Sequence, residues 1–437
     1  MDVQTSAPAA ATGTEHVDPD YPLSQVPASA RRSFWSLTVV LMGFTFFTPT
    51  MLAGAQVGAA FTFSEFLSVL VVGSLILGAY VAALSAVGAH TGLTTVLMSR
   101  YILGTGGAKW ADLLLGGTQV GWYGVAVATL AELTAQAFGL QSYTWLLMIV
   151  GGALMGITAY YGYRGMEVLS TISVPLLFIL AFWVVARSLG EVGGWAGMFA
   201  QQPVETMTWA TAVTIIVGTF ASGGTQTPNW SRFSRSWQQA LWAALIAFFL
   251  GNGLMLFFGA VGAIAFQEAD FVNVLMKMGL VFWGFVFLIL NLWTTNDNAA
   301  YAFGVAGAEF FNVPSKKPFI IGGVIIGTIL AITGIYNFLI TWLGLLGTFI
   351  PPLGGVILGD YLFRWRGKLP PLENVRFRTV RWSAVVAYLL GTAAAYFGGT
   401  AGIGIPPLNG IVVAGLALPV CEAIFKAAGA AQDHEVA

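Results

Sequence analysis

Three polar side chains follow a long apolar run and would share one face of a helix. Asn291, Thr294 and Thr295 come directly after residues 280–290, which are almost entirely apolar. Their spacing of i, i+3 and i+4 places them together on a helix surface. That face offers an amide and two hydroxyls and no charge, so its oxygens suit a hard monovalent cation or a neutral hydrogen-bonding ligand. Polar groups deep in an apolar helix usually face a protein interior or a wet cavity, which predicts the wall of a transport site.

A second polar group stands in the glycine-rich stretch Gly116–Gly124, where Gln119 and Trp122 are three residues apart. A buried amide without partners is costly, so Gln119 either bonds a neighbouring helix or binds a ligand beside the Trp122 indole. Thr219 and Phe220 stand in another glycine-rich stretch. Phe220 is either a core residue or the second aromatic face of a pocket. Two rings with amides and hydroxyls would suit a flat, uncharged, hydrogen-bonding ring.

The composition indicates a protein whose surface meets lipid. The chain has 437 residues, of which 57% are hydrophobic and 8% are charged, with a mean hydropathy of +0.79. Soluble domains carry about 25% charged residues. A net charge of −1 gives no sign of a nucleic-acid partner. The single cysteine and three scattered histidines exclude a disulfide framework and a usual zinc set. Without a nucleophile–base pair or a metal motif, we predict neither an enzyme nor a resident cofactor.

Apolar runs long enough to cross a bilayer, about 20 residues each, predict an all-α membrane protein of twelve transmembrane helices. We number these runs as segments 1 to 12. They fall at 34–58, 65–89, 109–138, 144–163, 166–189, 208–232, 239–266, 280–305, 318–336, 338–362, 382–399 and 406–427.

The distribution of lysine and arginine supports the count of twelve. With the N-terminus in the cytoplasm, sixteen of the 18 cationic residues fall in cytoplasmic parts of the chain, and Arg187 and Lys277 fall outside. Cytoplasmic loops are enriched in such residues. Both termini are therefore expected in the cytoplasm. Residues 1–30, which lack an early apolar core, are predicted to be a disordered cytoplasmic tail rather than a signal peptide.

Two segments contain helix-breaking residues at matching positions. Segment 1 contains Pro49, and segment 6 contains Gly223, Gly224 and Pro228. Each is the first helix of a five-helix set, and an odd number of helices makes the second set insert upside down. Interrupted helices at matching positions of inverted halves indicate a transporter site; kinks in packed helices are the alternative. The predicted organisation is 1–30 (tail), 31–189 (first repeat), 190–365 (second repeat), 366–428 (helices 11 and 12) and 429–437 (cytoplasmic tail).

The unusual residues of four segments share one expected depth. Thr45, Gln119, Thr219 and Asn291 each lie 10 or 11 residues past the start of their segment. At 1.5 Å per residue this is roughly 15 Å, near the middle of a hydrocarbon core about 30 Å thick. The four stretches are therefore expected to meet at the bilayer midplane.

Several motifs resemble the bacterial cytosine permeases of the nucleobase:cation symporter family, and the resemblance runs from about Pro27 to segment 12. The closest are GGTQVGWYGVAVA (Gly116–Ala128), LNLWTTNDNAAYA (Leu290–Ala302) and IPPLGGVILGDYL (Ile350–Leu362). GFTFFTPTM, GAHTGLTT and VGTFASGGT look like the same family with local changes.

The resemblance implies a leucine-transporter-like fold of two inverted five-helix repeats plus two C-terminal helices. It implies sodium-coupled uptake of cytosine, or a close nucleobase, by alternating access across a bacterial inner membrane. Trp122 and Phe220 would sandwich the base, and Gln119, Thr219 and Asn291 would bond its edges. The sodium ligands would be the backbone oxygens of Gly43, Phe46 and Asn291 and the hydroxyls of Thr294 and Thr295. Asn291 would then contact both sites. The expected partners are the base, sodium and the bilayer, with no obligate protein partner evident.

Three departures from the family pattern bear on which base is carried. Thr219 stands where a smaller serine is expected, Pro49 replaces a small residue, and the segment Thr225–Phe233 differs from the usual stretch. The alternative function is a proton-coupled permease for another nucleobase, a purine or a hydantoin-like ring. Asp297, in segment 8, is the candidate proton carrier, or it hydrogen-bonds within the bundle.

Overall fold

The computed structural model describes residues 20–268, 274, 277–279, 281–430 and 434–436, and these are mostly helical. Each predicted segment coincides with one helix or a short series of helices. The helices of these segments are Phe34–Thr45 and Thr48–Ala59 in segment 1; Phe63–Thr91; Thr95–Phe138; Thr144–Tyr160; Tyr163–Glu191; Trp209–Gly218, Ala221–Thr225 and Pro228–Ser231 in segment 6; Trp237–Leu245, Ile246–Gly251 and Asn252–Phe266 in segment 7; Val281–Phe311; Lys317–Ile332; Leu339–Phe349, Pro351–Gly359 and Asp360–Arg364 in segment 10; Trp382–Thr400; and Pro406–Ala427. A short helix, Trp195–Ala200, lies between segments 5 and 6.

The predicted class, an all-α membrane protein, is confirmed. Within the described residues, eight helical stretches are long and apolar enough to cross a membrane, or nine when the bent pair of segment 1 counts as one. Trp209–Gly218 and Lys317–Ile332 are apolar but shorter. The count of twelve spans therefore stays a prediction.

Hydroxyl side chains begin many of these helices. A helix leaves its first backbone N–H groups without intrahelical partners, and a Ser or Thr oxygen at the N-cap accepts from one of them. At the start of segment 2, the Thr62 hydroxyl oxygen accepts from the backbone N–H of Glu65, and the Glu65 carboxylate accepts from the backbone N–H of Thr62. The other caps of this kind are Ser33, Thr94, Thr208 and Ser236.

Segment 1 is interrupted as predicted, but three residues before Pro49. The first helix ends at Thr45, Phe46 is extended, and the second helix begins at Thr48 with a bend of 57°. Pro49 lies in the first turn of the second helix, where its missing N–H would have no intrahelical partner anyway. The proline therefore marks where the helix resumes.

Segment 6 is interrupted at Thr219 and Phe220. The helix Trp209–Gly218 ends there, Phe220 has non-helical angles (φ −133°, ψ 22°), and the helix Ala221–Thr225 follows. Pro228 begins the short helix Pro228–Ser231. Both segments predicted to be broken are therefore broken, each leaving helix termini inside the bundle.

The second half of segment 1 packs closely against segment 7. A Cβ on Gly54 would overlap the backbone carbonyl of Leu256, and a Cβ on Gly259 would overlap that of Met51. Glycine allows the two backbones to approach because it has no side chain, as is common between helices in membranes.

Both predicted tails contact the rest of the chain where the structure describes them. Residues 1–19 lie outside the described part. Residues 20–30 are predicted from the sequence to belong to the disordered tail, but they pack on the bundle. The Asp20 carboxylate pairs with Lys316 Nζ at 2.7 Å, and Val26 is buried. Near the other end, the strand Glu435–Val436 pairs antiparallel with Val375–Arg376.

Candidate functional site

The break in segment 1 leaves carbonyl oxygens pointing into the bundle. Because the helix stops at Thr45, its last carbonyls have no donors from a following turn and carry the negative end of the helix dipole. The hydroxyl of Thr295 reaches them from segment 8. Its Oγ1 lies 3.4 Å from the oxygen of Gly43, 3.1 Å from that of Phe44 and 3.0 Å from that of Phe46.

Three of the predicted sodium ligands therefore meet at one point, namely Gly43, Phe46 and Thr295. The other two adjoin them on segment 8, where Thr294 donates from Oγ1 to the carbonyl oxygen of Asn291 at 3.0 Å. The cluster around Thr295 is built from neutral oxygens, which a hard cation prefers. With a cation present, the Thr295 oxygen could present a lone pair to it while the carbonyls bind the cation directly.

A small cavity adjoins this cluster, and its open volume is about 10 Å³, the room of about one water molecule, so a base would have to widen it. Four predicted binding residues line it: Gln119, Trp122, Thr219 and Phe220. Thr295 lines it too, and the described lining contains no charged residue. The other lining residues, which sequence reasoning missed, are Phe44, Phe47, Gly223, Asn296 and Ala299. The lining can therefore stack on and hydrogen-bond a neutral ligand.

Aromatic rings crowd the cavity. Phe47 lies edge-on to Trp122, with ring centroids 5.4 Å apart, and edge-on to Phe220 at 6.3 Å. Phe44 contacts the other side of Phe220 at 5.2 Å. Phe47 therefore stands beside both predicted stacking rings. The sequence signal that could have found it is its place directly after the break residue Phe46.

Gln119 and Thr219 already have hydrogen-bond partners. Gln119 donates from Nε2 to Ser222 Oγ at 3.5 Å. The Thr219 hydroxyl donates to the carbonyl of Ile216 at 2.7 Å and accepts from Asn252 Nδ2 at 3.1 Å. Asn252, on segment 7, was not singled out from the sequence. A ligand would therefore exchange with, or add to, bonds that hold these groups in position.

Asn291 lies beside the cavity rather than in its described lining. It is fully buried, and its Oδ1 accepts from Thr48 Oγ1 at 2.8 Å. Thr48 begins the second half of segment 1. The amide thus connects segment 8 to the part of segment 1 beyond the break.

Asp297 is buried two residues past Thr295 and is not part of the described lining of the cavity. Asn298 donates from Nδ2 to its Oδ1 at 3.0 Å. Asp297 Oδ1 therefore has a polar partner on its own helix, which by itself does not decide between the two predicted roles.

Comparison with known proteins finds relatives along nearly the whole chain. The sequence profile of permeases for cytosine/purines, uracil, thiamine and allantoin matches residues 25–418. The cytosine permease of Escherichia coli (strain K12) is 39% identical over 409 residues, covering 94% of this chain and 96% of that protein. These relatives are permeases and not enzymes, as predicted for this chain.

Solved structures show the same fold. A nucleobase-cation-symport-1 family transporter in a closed conformation with bound bromovinylhydantoin superposes with a TM-score of 0.79 at 18% identity, covering 92% of this chain and 95% of that one. A Na⁺-coupled sialic acid symporter superposes with a TM-score of 0.64 at 13% identity, covering 97% and 94%. The predicted leucine-transporter-like fold is confirmed.

Proposed function

The chain belongs to the family of permeases for cytosine/purines, uracil, thiamine and allantoin, and on that premise we propose that it imports cytosine, or a close nucleobase, together with sodium. Transport would proceed by alternating access, with the base in the cavity beside Trp122 and Phe220. Sodium would bind the oxygen cluster at the break of segment 1.

The observation that supports this most directly is the position of Thr295. Its side chain lines the cavity and also lies within 3.4 Å of three carbonyl oxygens at the break. A cation held by those oxygens would fix Thr295, and with it one wall of the cavity. Binding of one ligand would therefore favour binding of the other, which is the reciprocal linkage that a symporter needs.

The chemistry of the cavity suits an uncharged base. Trp122 and Phe220 can stack on a planar ring, and stacking contributes about 1–3 kcal/mol per base. Gln119 and Asn296 offer amides to the polar edge of the ring. An anionic or cationic substrate would have no counter-charge among the described lining residues. The related cytosine permease of Escherichia coli favours cytosine, and the hydantoin bound to the structural relative favours a hydantoin-like ring as the alternative.

Uptake by the purified protein in liposomes tests the proposal. Radiolabelled cytosine should accumulate when sodium is outside, and should only equilibrate when potassium replaces it. A panel of unlabelled pyrimidines, purines and hydantoins defines the base by competition. Uptake that does not depend on the sodium gradient would contradict sodium coupling. A base that competes more strongly than unlabelled cytosine would be identified as the preferred substrate.

Proton coupling is the second candidate because Asp297 is a fully buried carboxylate on the same helix as Thr295. The two schemes make opposite predictions. Under proton coupling, Asp297→Asn abolishes accumulation and Thr295→Ala leaves it intact. Under sodium coupling, Thr295→Ala abolishes sodium-driven accumulation, and a proton ionophore leaves wild-type uptake unchanged.

We place the protein in a bacterial inner membrane with both termini in the cytoplasm. The family membership and the apolar helices support a multi-pass membrane protein, and the positions of the cationic residues support the orientation. Cysteines introduced near either terminus should react with a membrane-impermeant thiol reagent only after the cells are opened. Labelling of these cysteines in intact cells would show that the termini lie outside the cytoplasm.

A further inference from the structure

Two neighbouring cavities at one end of the bundle lie apart from the central site. One, of about 210 Å³, lies between the end of segment 2 and the loop after segment 10. The other, of about 740 Å³, is an open groove between residues 25–31 and the start of segment 7. Gln25 and His90 line both, so the two adjoin each other, and we call them together the basic groove.

Four basic side chains are among the described lining residues of the basic groove: Arg31, His90, Arg235 and Lys368. Hydrogen bonds fix three of them near each other. Arg31 donates from Nη1 to the carbonyl oxygens of Ala89 and Ser234, both at 2.8 Å. Those two residues immediately precede His90 and Arg235. The guanidinium of Arg31 therefore lies beside the backbone at both His90 and Arg235.

Lys368 is joined to the same group through Tyr361. The Tyr361 hydroxyl lies 2.5 Å from His90 Nδ1 and donates to the carbonyl oxygen of Gly367 at 2.9 Å. Gly367 immediately precedes Lys368. One series of contacts thus connects residues of both predicted repeats and the loop after segment 10.

No carboxylate among the described lining residues neutralises these side chains. Arg31 uses its hydrogen bonds on carbonyl oxygens, and the exposed Glu373 is not part of the described lining. Burial, and then the positive charge of Arg232, lower the pKa of Arg31. The described lining of the basic groove therefore carries positive and no negative side chains.

The basic groove also lies at the ends of membrane-spanning helices. Arg31 and Arg235 come just before the helices that begin at Phe34 and Trp237, and His90 lies in the last turn of Phe63–Thr91. Trp237 lines the groove and is 48% exposed. Tryptophan is enriched at the level of lipid headgroups, which is where a phosphate would meet these cations.

We propose that the basic groove binds the phosphate of an anionic membrane phospholipid. Arginine and lysine donate charge-assisted hydrogen bonds to phosphate oxygens, and basic pockets between helices suit anionic headgroups. The bound phosphate would connect Arg31 and His90 with Arg235 and Lys368. It therefore stabilises the arrangement in which this end of the bundle is packed together. This site is independent of the base and its coupling ion.

Thermal unfolding of the delipidated full chain in detergent tests the site. Phosphatidylglycerol should raise the unfolding midpoint saturably, whereas phosphatidylcholine and inorganic phosphate at equal concentration should not. The double variant Arg235→Gln/Lys368→Gln should bind phosphatidylglycerol about 30-fold more weakly, because each basic residue contributes roughly 5-fold. The matched control Arg164→Gln/Lys426→Gln removes two exposed cations outside the groove and should respond as the wild type does.

Equal phosphatidylglycerol affinity in the groove variant and the wild type would overturn the proposal. Equal stabilisation by phosphatidylcholine would remove the requirement for an anion, and equal stabilisation by inorganic phosphate would make a free anion the ligand instead of a lipid. Native mass spectrometry of the wild type provides a test that needs no variant. Phosphatidylglycerol should stay bound where phosphatidylcholine is lost, and retention of both alike would contradict the proposal.

Discussion

Thr48 donates a hydrogen bond from Oγ1 to Oδ1 of Asn291 across 2.8 Å of buried space. The bond joins the start of the helix Thr48–Ala59, beyond the break of segment 1, to segment 8. The backbone of Asn291 meanwhile accepts from Thr294. Asn291 therefore links segment 1, beyond its break, to segment 8, which also carries Thr294 and Thr295.

Asn291→Ala should weaken both base binding and sodium stimulation, because it releases the broken helix from segment 8. Thr48→Val should have a similar effect, since it leaves the buried Asn291 oxygen unpaired at a cost of about 1–3 kcal/mol. A double-mutant cycle on base affinity should give a coupling energy of about 0.5–3 kcal/mol. Strictly additive effects would show that the hydrogen bond has no role in binding.

Thr295→Val should raise the sodium concentration for half-maximal uptake by roughly 10-fold or more, since an interaction with a charged group contributes about 1.5–3 kcal/mol. Thr295→Ser keeps the oxygen and should restore most of the affinity. The control is Thr348→Val, because the Thr348 hydroxyl bonds only the Gly344 carbonyl of its own helix. A sodium response unchanged in Thr295→Val excludes this hydroxyl as a ligand.

Trp122→Ala should weaken base binding by about 1–3 kcal/mol through loss of stacking. Equilibrium binding of labelled cytosine to the purified protein measures it. Trp242→Ala is the control because Trp242 is 57% exposed and does not line the cavity. If both variants bind like the wild type, Trp122 does not contact the base.

Gly54→Ala should lower stability by about 1–3 kcal/mol, because the new methyl would overlap the Leu256 backbone. The unfolding midpoint measures the loss. Gly344→Ala is the matched control: nothing lies within 4 Å of its added Cβ, and alanine is favoured over glycine inside a helix by about 0.5–1 kcal/mol. If Gly54→Ala were as stable as this control, the added methyl would be accommodated between segments 1 and 7 without loss of stability.

The protein should lose stability as the pH falls from about 6.5 towards 4, in part through His434. Burial, and then the charges of Arg381, Arg364 and Arg378, lower its pKa to about 4. Its Nδ1 accepts from the Arg378 N–H and its Nε2 lies 2.8 Å from the Tyr101 carbonyl oxygen, an arrangement that needs the neutral ring. The unfolded chain takes up this proton near pH 6.5 and the folded chain only near pH 4, so acid favours unfolding in this interval.

Unfolding midpoints of the wild type and His434→Gln, measured from pH 7.5 to 4, test this. The glutamine cannot take up the proton and should show a smaller decline with acid. Parallel declines in the two proteins would assign the acid sensitivity to other groups.

Much of the fold could be predicted because lipid imposes strict rules on a chain. Long apolar runs must become helices in a bilayer, since every backbone polar group needs an internal partner. The same rules made the glycines and prolines of segments 1 and 6 visible as interruptions. Thr219 and Phe220 lie at their break as predicted. In segment 1, the chain leaves the helix at Phe46, where no residue type signals it, and Pro49 marks only the return.

The sequence by itself determined which residues were candidates for the site. One cavity brings together five of them, namely Gln119, Trp122, Thr219, Phe220 and Thr295. Only the tertiary structure decided what each helix face meets. Asn291 accepts a hydrogen bond from Thr48, Phe47 contacts both predicted stacking rings edge-on, and Asn252 donates to Thr219. The periodicity of one helix determines which side chains share a face, but the neighbour opposite that face is set by packing between residues distant in the chain.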